Sequence, residues 1–110
     1  MQLDTYYLVL LRRGPRADEY TGDTLARLQQ AHLDHLARLH ARGHALVAGP
    51  FDVGPRDPLR GMIIFSGTLA REEVEELVHA DPSVRAGRLQ VQVLKWYTER
   101  DAFRWPGARS

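Results

Sequence analysis

Two stretches of this chain are apolar on both faces, and few architectures accept such strands. Thr5 to Leu11 reads TYYLVLL and Gly61 to Phe65 reads GMIIF. Aromatic and branched side chains predict extended backbone in both. Turn-forming residues close them, with Arg12, Arg13, Gly14 and Pro15 after the first and Ser66, Gly67 and Thr68 after the second. Side chains of a strand alternate between the two faces of its sheet. Both strands therefore belong in the middle of a sheet that is covered above and below.

The remaining segments indicate what the cover is. Leu25, Leu28, Leu36 and Leu39 form one stripe at about 100° per residue. They predict a helix from Gly22 or Asp23 to about Arg42, with Gly43 where helices commonly end in a left-handed turn. Before it, the polar segment Pro15 to Thr21 is a connecting loop. His44 to Ala48 reads as a short edge strand closed by Gly49 and Pro50. Phe51 to Arg60, with Gly54, Pro55 and Pro58 and no periodicity, reads as a long hairpin loop. Ala70, Val74, Leu77 and Val78 recur at helical spacing in a second helix, with Glu72 and Glu73 in its first turn and Pro82 as its stop. In the last strand, Leu89 to Tyr97, apolar Leu89, Val91 and Val93 alternate with Gln90 and Gln92, the pattern of a strand covered on one side.

This order, in a chain of 110 residues, predicts an α+β domain with the ferredoxin-like βαββαβ topology. The expected sheet is four-stranded and antiparallel, with two helices on one face, strands one and three central, and strands two and four at the edges. The helices leave the other face bare. Its economical cover is a second copy of the chain, so a homodimer is expected. The domain spans residues 1–97. The tail, 98–110, is polar and arginine-rich except for Phe103 and Trp105, two anchors for pinning it to a surface, and is assigned no structure of its own.

Composition narrows the function. The chain has no cysteine, which removes disulfides, thiolate nucleophiles and thiolate zinc sites and fits a cytoplasm. A net charge of +1 with scattered basic residues is wrong for a nucleic-acid binder, whose affinity rests on clustered cations. No apolar run approaches the roughly 20 residues of a membrane span, and the amino terminus lacks a secretory signal pattern. A soluble, cytoplasmic protein is expected. There is no GxSxG, phosphate loop or dinucleotide fingerprint, so neither covalent catalysis nor a cofactor is expected.

What points to a site is a polar ring in the leucine stripe. His32 falls in its middle, while Arg27, Asp34 and Arg38 take the opposite helix face. An unsatisfied buried polar group costs about 1–3 kcal/mol, so a buried His32 must find a hydrogen-bond partner. With a backbone carbonyl as partner, the ring is structural. With a carboxylate as partner, charging the ring becomes affordable and the same ring suits a general acid or base on a pocket floor. A metal site is a third reading of the run His32, His35, His40 and His44. On the helix, however, His35 lies about 60° from His32 and His40 about 80° to the other side, no HExxH pattern occurs, and Asp34 points away. No metal is expected. Arg12, Arg13 and Arg16 after strand one offer contacts to an anionic substrate, or are simply solvated. Asp81, in ADPSVRAGR, suits the cap of a short turn that has Pro82 in its first position and ends at Gly87. The segment leaves helix two beside helix one, so this carboxylate also comes within reach of His32. The residues leave cap and histidine partner open.

AHLDHLARLHARGHALVAGPF followed by ADPSVRAGR resembles the YciI-like (YCII-related) family. Members have a histidine early in helix one, a small-Gly-Pro run after strand two, and a DP…AG segment before the last strand. Here these are His32, the run Ala48, Gly49 and Pro50, then Asp81 with Pro82, and Ala86 with Gly87, and the match extends over nearly the whole chain through Trp96. The resemblance implies a ferredoxin-like fold, a dimer of the α/β-barrel kind, and an active site in which His32 and Asp81 pair. One branch of the family is linked to elimination chemistry on halogenated hydroxy-aromatics. On this basis the expected function is that of a small-molecule enzyme of lyase, isomerase or dehydrochlorinase type. His32 would transfer a proton, Asp81 would orient it, and Gly49, Pro50, Phe51 and Arg12 would contact the substrate. The alternative is a dimeric module that binds a metabolite through the same pair without turning it over. A purely structural pair is a third reading.

Overall fold

The computed structural model describes residues 1–105. Its elements are β1 (Leu3–Arg13), a 3-10 turn (Ala17–Glu19), α1 (Gly22–Ala41), β2 (Ala45–Pro50), β3 (Leu59–Ser66), α2 (Arg71–His79), the single-turn α3 (Pro82–Arg85) and β4 (Leu89–Glu99). The strands form one antiparallel sheet in the order β2-β3-β1-β4, with the helices on one face. This is the ferredoxin-like α+β arrangement. The two doubly apolar strands, β1 and β3, are the central pair, flanked by β2 and β4.

Register places the core. Val9 of β1 stands opposite Ile63 of β3 and Val93 of β4. With Tyr7, Leu11 and Phe65, these residues form the layer on which Leu39 of α1 and Val74 and Val78 of α2 pack. Burying each such side chain fully is worth about 1.5–3 kcal/mol. Along α1 the leucine stripe is anchored only in its second half. Leu39 is 1 % exposed, whereas Leu25 near the start is 37 % exposed. Gly43, at φ 76°, ends the helix as its position predicts. β2 runs on through Gly49 to Pro50, which sits opposite Gly61 at the strand end. An edge strand tolerates a proline there because no neighbour needs its missing N–H. A Cβ on Gly61 would lie 2.6 Å from the Gly49 carbonyl oxygen, so this close approach of β2 and β3 depends on glycine.

The helix-free face is partly covered by the chain itself. β4 continues two residues past Tyr97, and Asp101, at φ 62°, turns the backbone round while its N–H donates to the Asp4 carboxylate at 2.9 Å. Phe103 and Trp105 then stack at 5.2 Å and meet Tyr6 edge-on. Trp105 Nε1 donates to the Tyr6 hydroxyl at 3.1 Å. The tail is thus ordered through Trp105, and its two aromatics cover the end of the sheet face where Tyr6 lies beside Trp96. The rest of the tail, 106–110, lies outside the described residues. On the same sheet face Leu94 remains 40 % exposed and Val47 45 %. Among the described residues no helix is long and apolar enough to cross a membrane.

Candidate active site

α3 is a four-residue helix whose start is set by its cap. Asp81 Oδ1 accepts the Ser83 backbone N–H at 2.8 Å, and Pro82, with no N–H to satisfy, takes the first helical position. The other carboxylate oxygen, Oδ2, accepts from His32 Nδ1 at 2.5 Å. Cap and histidine partner are therefore one residue using two oxygens. Ser83, fully buried, fastens α3 to α1: its hydroxyl donates to the Leu28 carbonyl at 2.9 Å and accepts from Arg88 Nε at 3.0 Å.

Behind α3 the chain is clamped. Gly87, at φ 76°, closes the turn. The loop after β1 crosses it closely, with Gly14 N–H donating to the Arg88 carbonyl at 2.8 Å and Arg16 N–H to the Gly87 carbonyl at 2.9 Å. A Cβ at Gly14 would lie 2.2 Å from the Gly87 oxygen, so only glycine permits the crossing.

Burial pushes the Asp81 carboxyl up. The hydrogen bond and charge of His32, the Ser83 N–H and the more distant His35 outweigh it and hold the group below the usual carboxylate range. Asp81 thus stays ionised and accepts the hydrogen bond from Nδ1–H, which keeps its proton. In the neutral ring this leaves the lone pair on Nε2. Nε2 has no protein partner among the described residues, and no buried side-chain nitrogen or oxygen there is left unsatisfied, so Nε2 is open to solvent. It opens into a cleft of about 250 Å³ between α1, the adjoining ends of β2 and β3, and the start of β4. Leu11, Leu33, Leu36 and Leu89 form apolar walls, Gly49, Pro50 and Gly61 one rim, and Gln29, Arg60 and Arg88 the polar lining. A cavity of about 150 Å³ accommodates benzene, so this cleft is sized for a substituted single ring.

Of the residues singled out from the sequence, the structure brings His32, Asp81, Gly49 and Pro50 together here. Phe51 and Arg12 are not in the cleft lining. Phe51 follows β2 and donates its backbone N–H to the Arg60 carbonyl at 2.9 Å. Arg12 lies on the helix-free face, where its guanidinium donates to Gln92 Oε1 at 3.3 Å. Strand alternation is the reason: Leu11 faces the cleft, so its neighbour Arg12 faces away. Sequence reasoning missed Ser83, Arg60 and Arg88. The one available signal was the position of Arg88, directly after the glycine that re-aims the chain into β4.

The other histidines of α1 are tied to backbone. His35 Nε2 donates to the Leu77 carbonyl of α2 at 2.7 Å, and His40 Nδ1 to the Ala45 carbonyl of β2 at 2.9 Å. Among the described residues no group of three or more potential metal ligands comes together.

The fold and the histidine at its cleft define a class, that of small ferredoxin-like α+β domains with a one-ring cleft between sheet and helices. Within that class, the chain matches the YCII-related domain over residues 5–97 and belongs to that family. Among solved structures it resembles the 5-chloro-2-hydroxyhydroquinone dehydrochlorinase TftG from Burkholderia phenoliruptrix AC1100, in complex with 2,5-dihydroxybenzoquinone. The two are 23 % identical over 83 % of this chain and 92 % of that one, with a TM-score of 0.60, a likeness of fold. No curated protein sequence matches the chain.

Proposed function

We propose that the cleft is an active site for proton transfer on a small organic molecule, with His32 as general base and acid and Asp81 as the group that orients it. The observation that carries this reading is the His32 ring itself, bonded to Asp81 through Nδ1 while Nε2 opens to the cleft. Nε2 removes a proton from a substrate carbon, and Asp81 stabilises the imidazolium that forms. The electron pair left on carbon then shifts, and the imidazolium returns its proton at another position in an isomerisation. In an elimination the pair forms a double bond and expels a leaving group. The dehydrochlorinase of like fold supports elimination as one outcome. Gly49 and Pro50, with no long side chains, leave room beside the ring.

The test is hydrogen exchange at carbon. Hydroxy-aromatic and cyclic keto compounds that bind the protein are incubated with it in D2O and followed by NMR. The parent is expected to exchange at least one ligand's carbon-bound hydrogen, and His32→Gln to do so about 10²–10⁴-fold more slowly. Ligands that bind without exchange would sink the catalytic reading in favour of the metabolite-binding module.

We further propose that the chain is a homodimer through the helix-free face. Support comes from Leu94 and Val47, left exposed beside the buried Ile64 in one cross-strand row of that face.

A further inference from the structure

We infer that the cleft selects a small one-ring carboxylate, its anionic group held between the Arg60 and Arg88 guanidinium groups. This rests on the reading of the cleft as a small-molecule site and adds the charge class of its ligand. Both arginines line the cleft, half-buried. Each is anchored from one side only. Arg88 Nε donates to Ser83 Oγ at 3.0 Å, and Arg60 Nη1 donates to the Gly54 and Asp57 carbonyls at 2.8 and 3.1 Å. The remaining N–H groups of both forks have no protein acceptor among the described residues.

Neither has a counter-ion among the described residues. Arg13 and Arg16, on the neighbouring loop, pair with Asp18 and Glu19, but no carboxylate of the described residues lies within ion-pair distance of Arg60 or Arg88. Asp81, whose charge reaches Arg88, already commits one oxygen to His32 and the other to Ser83, and Asp57 Oδ1 accepts from Leu59 N–H. Both arginines line the same cleft, and burial and the charge of Arg60 lower the Arg88 pKa while Asp81 opposes them. A depression that shares Arg60 and Arg88 with the cleft adds Arg56 and Arg13, the last paired with Asp18, so this mouth is net positive in a chain whose net charge is only +1. Two like charges in one cleft, with no carboxylate in ion-pair contact with either among the described residues, are relieved by a ligand anion, and anchored guanidinium forks match the planar geometry of a carboxylate. The leucine walls opposite receive the ring.

The test is calorimetric titration of the intact chain with benzoate, benzamide and inorganic phosphate. Benzoate is expected to bind at least about tenfold more tightly than its neutral isostere, with the advantage shrinking as salt rises. Arg60→Gln and Arg88→Gln should each weaken benzoate about tenfold or more and leave benzamide unchanged. Arg88→Lys, which keeps the charge but not the fork, should fall between. His32→Gln should retain the benzoate preference. Equal binding of benzoate and benzamide, no benzoate binding up to about 10 mM, or a preference that survives both arginine substitutions would overturn the inference. So would phosphate binding as tightly as benzoate, since the leucine walls would then count for nothing. None of these readouts involves turnover. A failure here leaves the exchange test of His32 standing, and a failure there leaves the charge preference standing.

Discussion

Asp81 shows how one residue comes to be both structural and available for chemistry. A single oxygen suffices to cap α3, which frees the second for His32. The folded carboxyl sits below the ordinary value of about 3.9, so the unfolded chain takes up a proton first as the pH falls. The stability contributed by this carboxylate is complete above about pH 5 and is lost as the pH drops through the folded value. Asp81→Asn isolates the charge, because asparagine caps helices equally well. At pH 7 it is expected to cost about 1–3 kcal/mol. That gap should narrow on acidification towards pH 3, as followed by urea unfolding across pH. A gap that stays constant would mean that the cap and the packing, rather than the charge, carry the contribution.

At the scale of the element, α1 divides into two halves with different tasks. Its second half seats Leu39 among core side chains of the sheet, the middle turns from Gln29 to Leu36 border the cleft, and the first half leaves Leu25 in partial contact with solvent. His32 lies at the join, where the helix is held by Asp81 and, through the Leu28 carbonyl, by Ser83. Two leucines of one stripe are therefore expected to respond differently to truncation. Leu39→Ala should destabilise by about 2–5 kcal/mol, the cost of an unfilled core cavity. Leu25→Ala should stay within about 0.5 kcal/mol, as an exposed change does. Chemical denaturation of the two variants measures both, and equal losses would mean that the first half is packed against a partner in solution.

For the whole molecule, the helix-free face is where the proposed dimer would form. Phe103 and Trp105 cover the Tyr6 end, and Leu94 and Val47 lie open on the same face. A second copy seated there would form a mainly apolar interface, and obligate interfaces of this kind exceed roughly 2,000 Å² in total. Sedimentation at micromolar concentration is expected to show a dimer, and Leu94→Arg to dissociate or aggregate it by forcing a charge into the contact. If the parent sediments as a soluble monomer, or Leu94→Arg leaves a dimer intact, the proposed interface is wrong.

Residue order made legible whatever depends on local periodicity and local stereochemistry. The doubly apolar strands announced a central position because the two faces of a strand follow directly from alternate residues. The left-handed turn at Gly43 and the Asp81 cap with Pro82 behind it were readable because each is decided within a few neighbouring residues. The place of His32 in the leucine stripe foretold that the ring would need a partner, and the family resemblance selected Asp81, 49 positions away. Tertiary structure alone decided which arginines share a cleft with that histidine. Arg12 looked as suitable as any, yet its strand turns it to the opposite face, while Arg60 and Arg88 line the cleft from the start of β3 and from the clamped turn after α3. The same holds for the aromatic tail, whose hold on Tyr6 depends on a backbone reversal at Asp101 and on contacts nearly a hundred residues apart. Such convergence depends on register, twist and loop path together, and no spacing within a single segment encodes it.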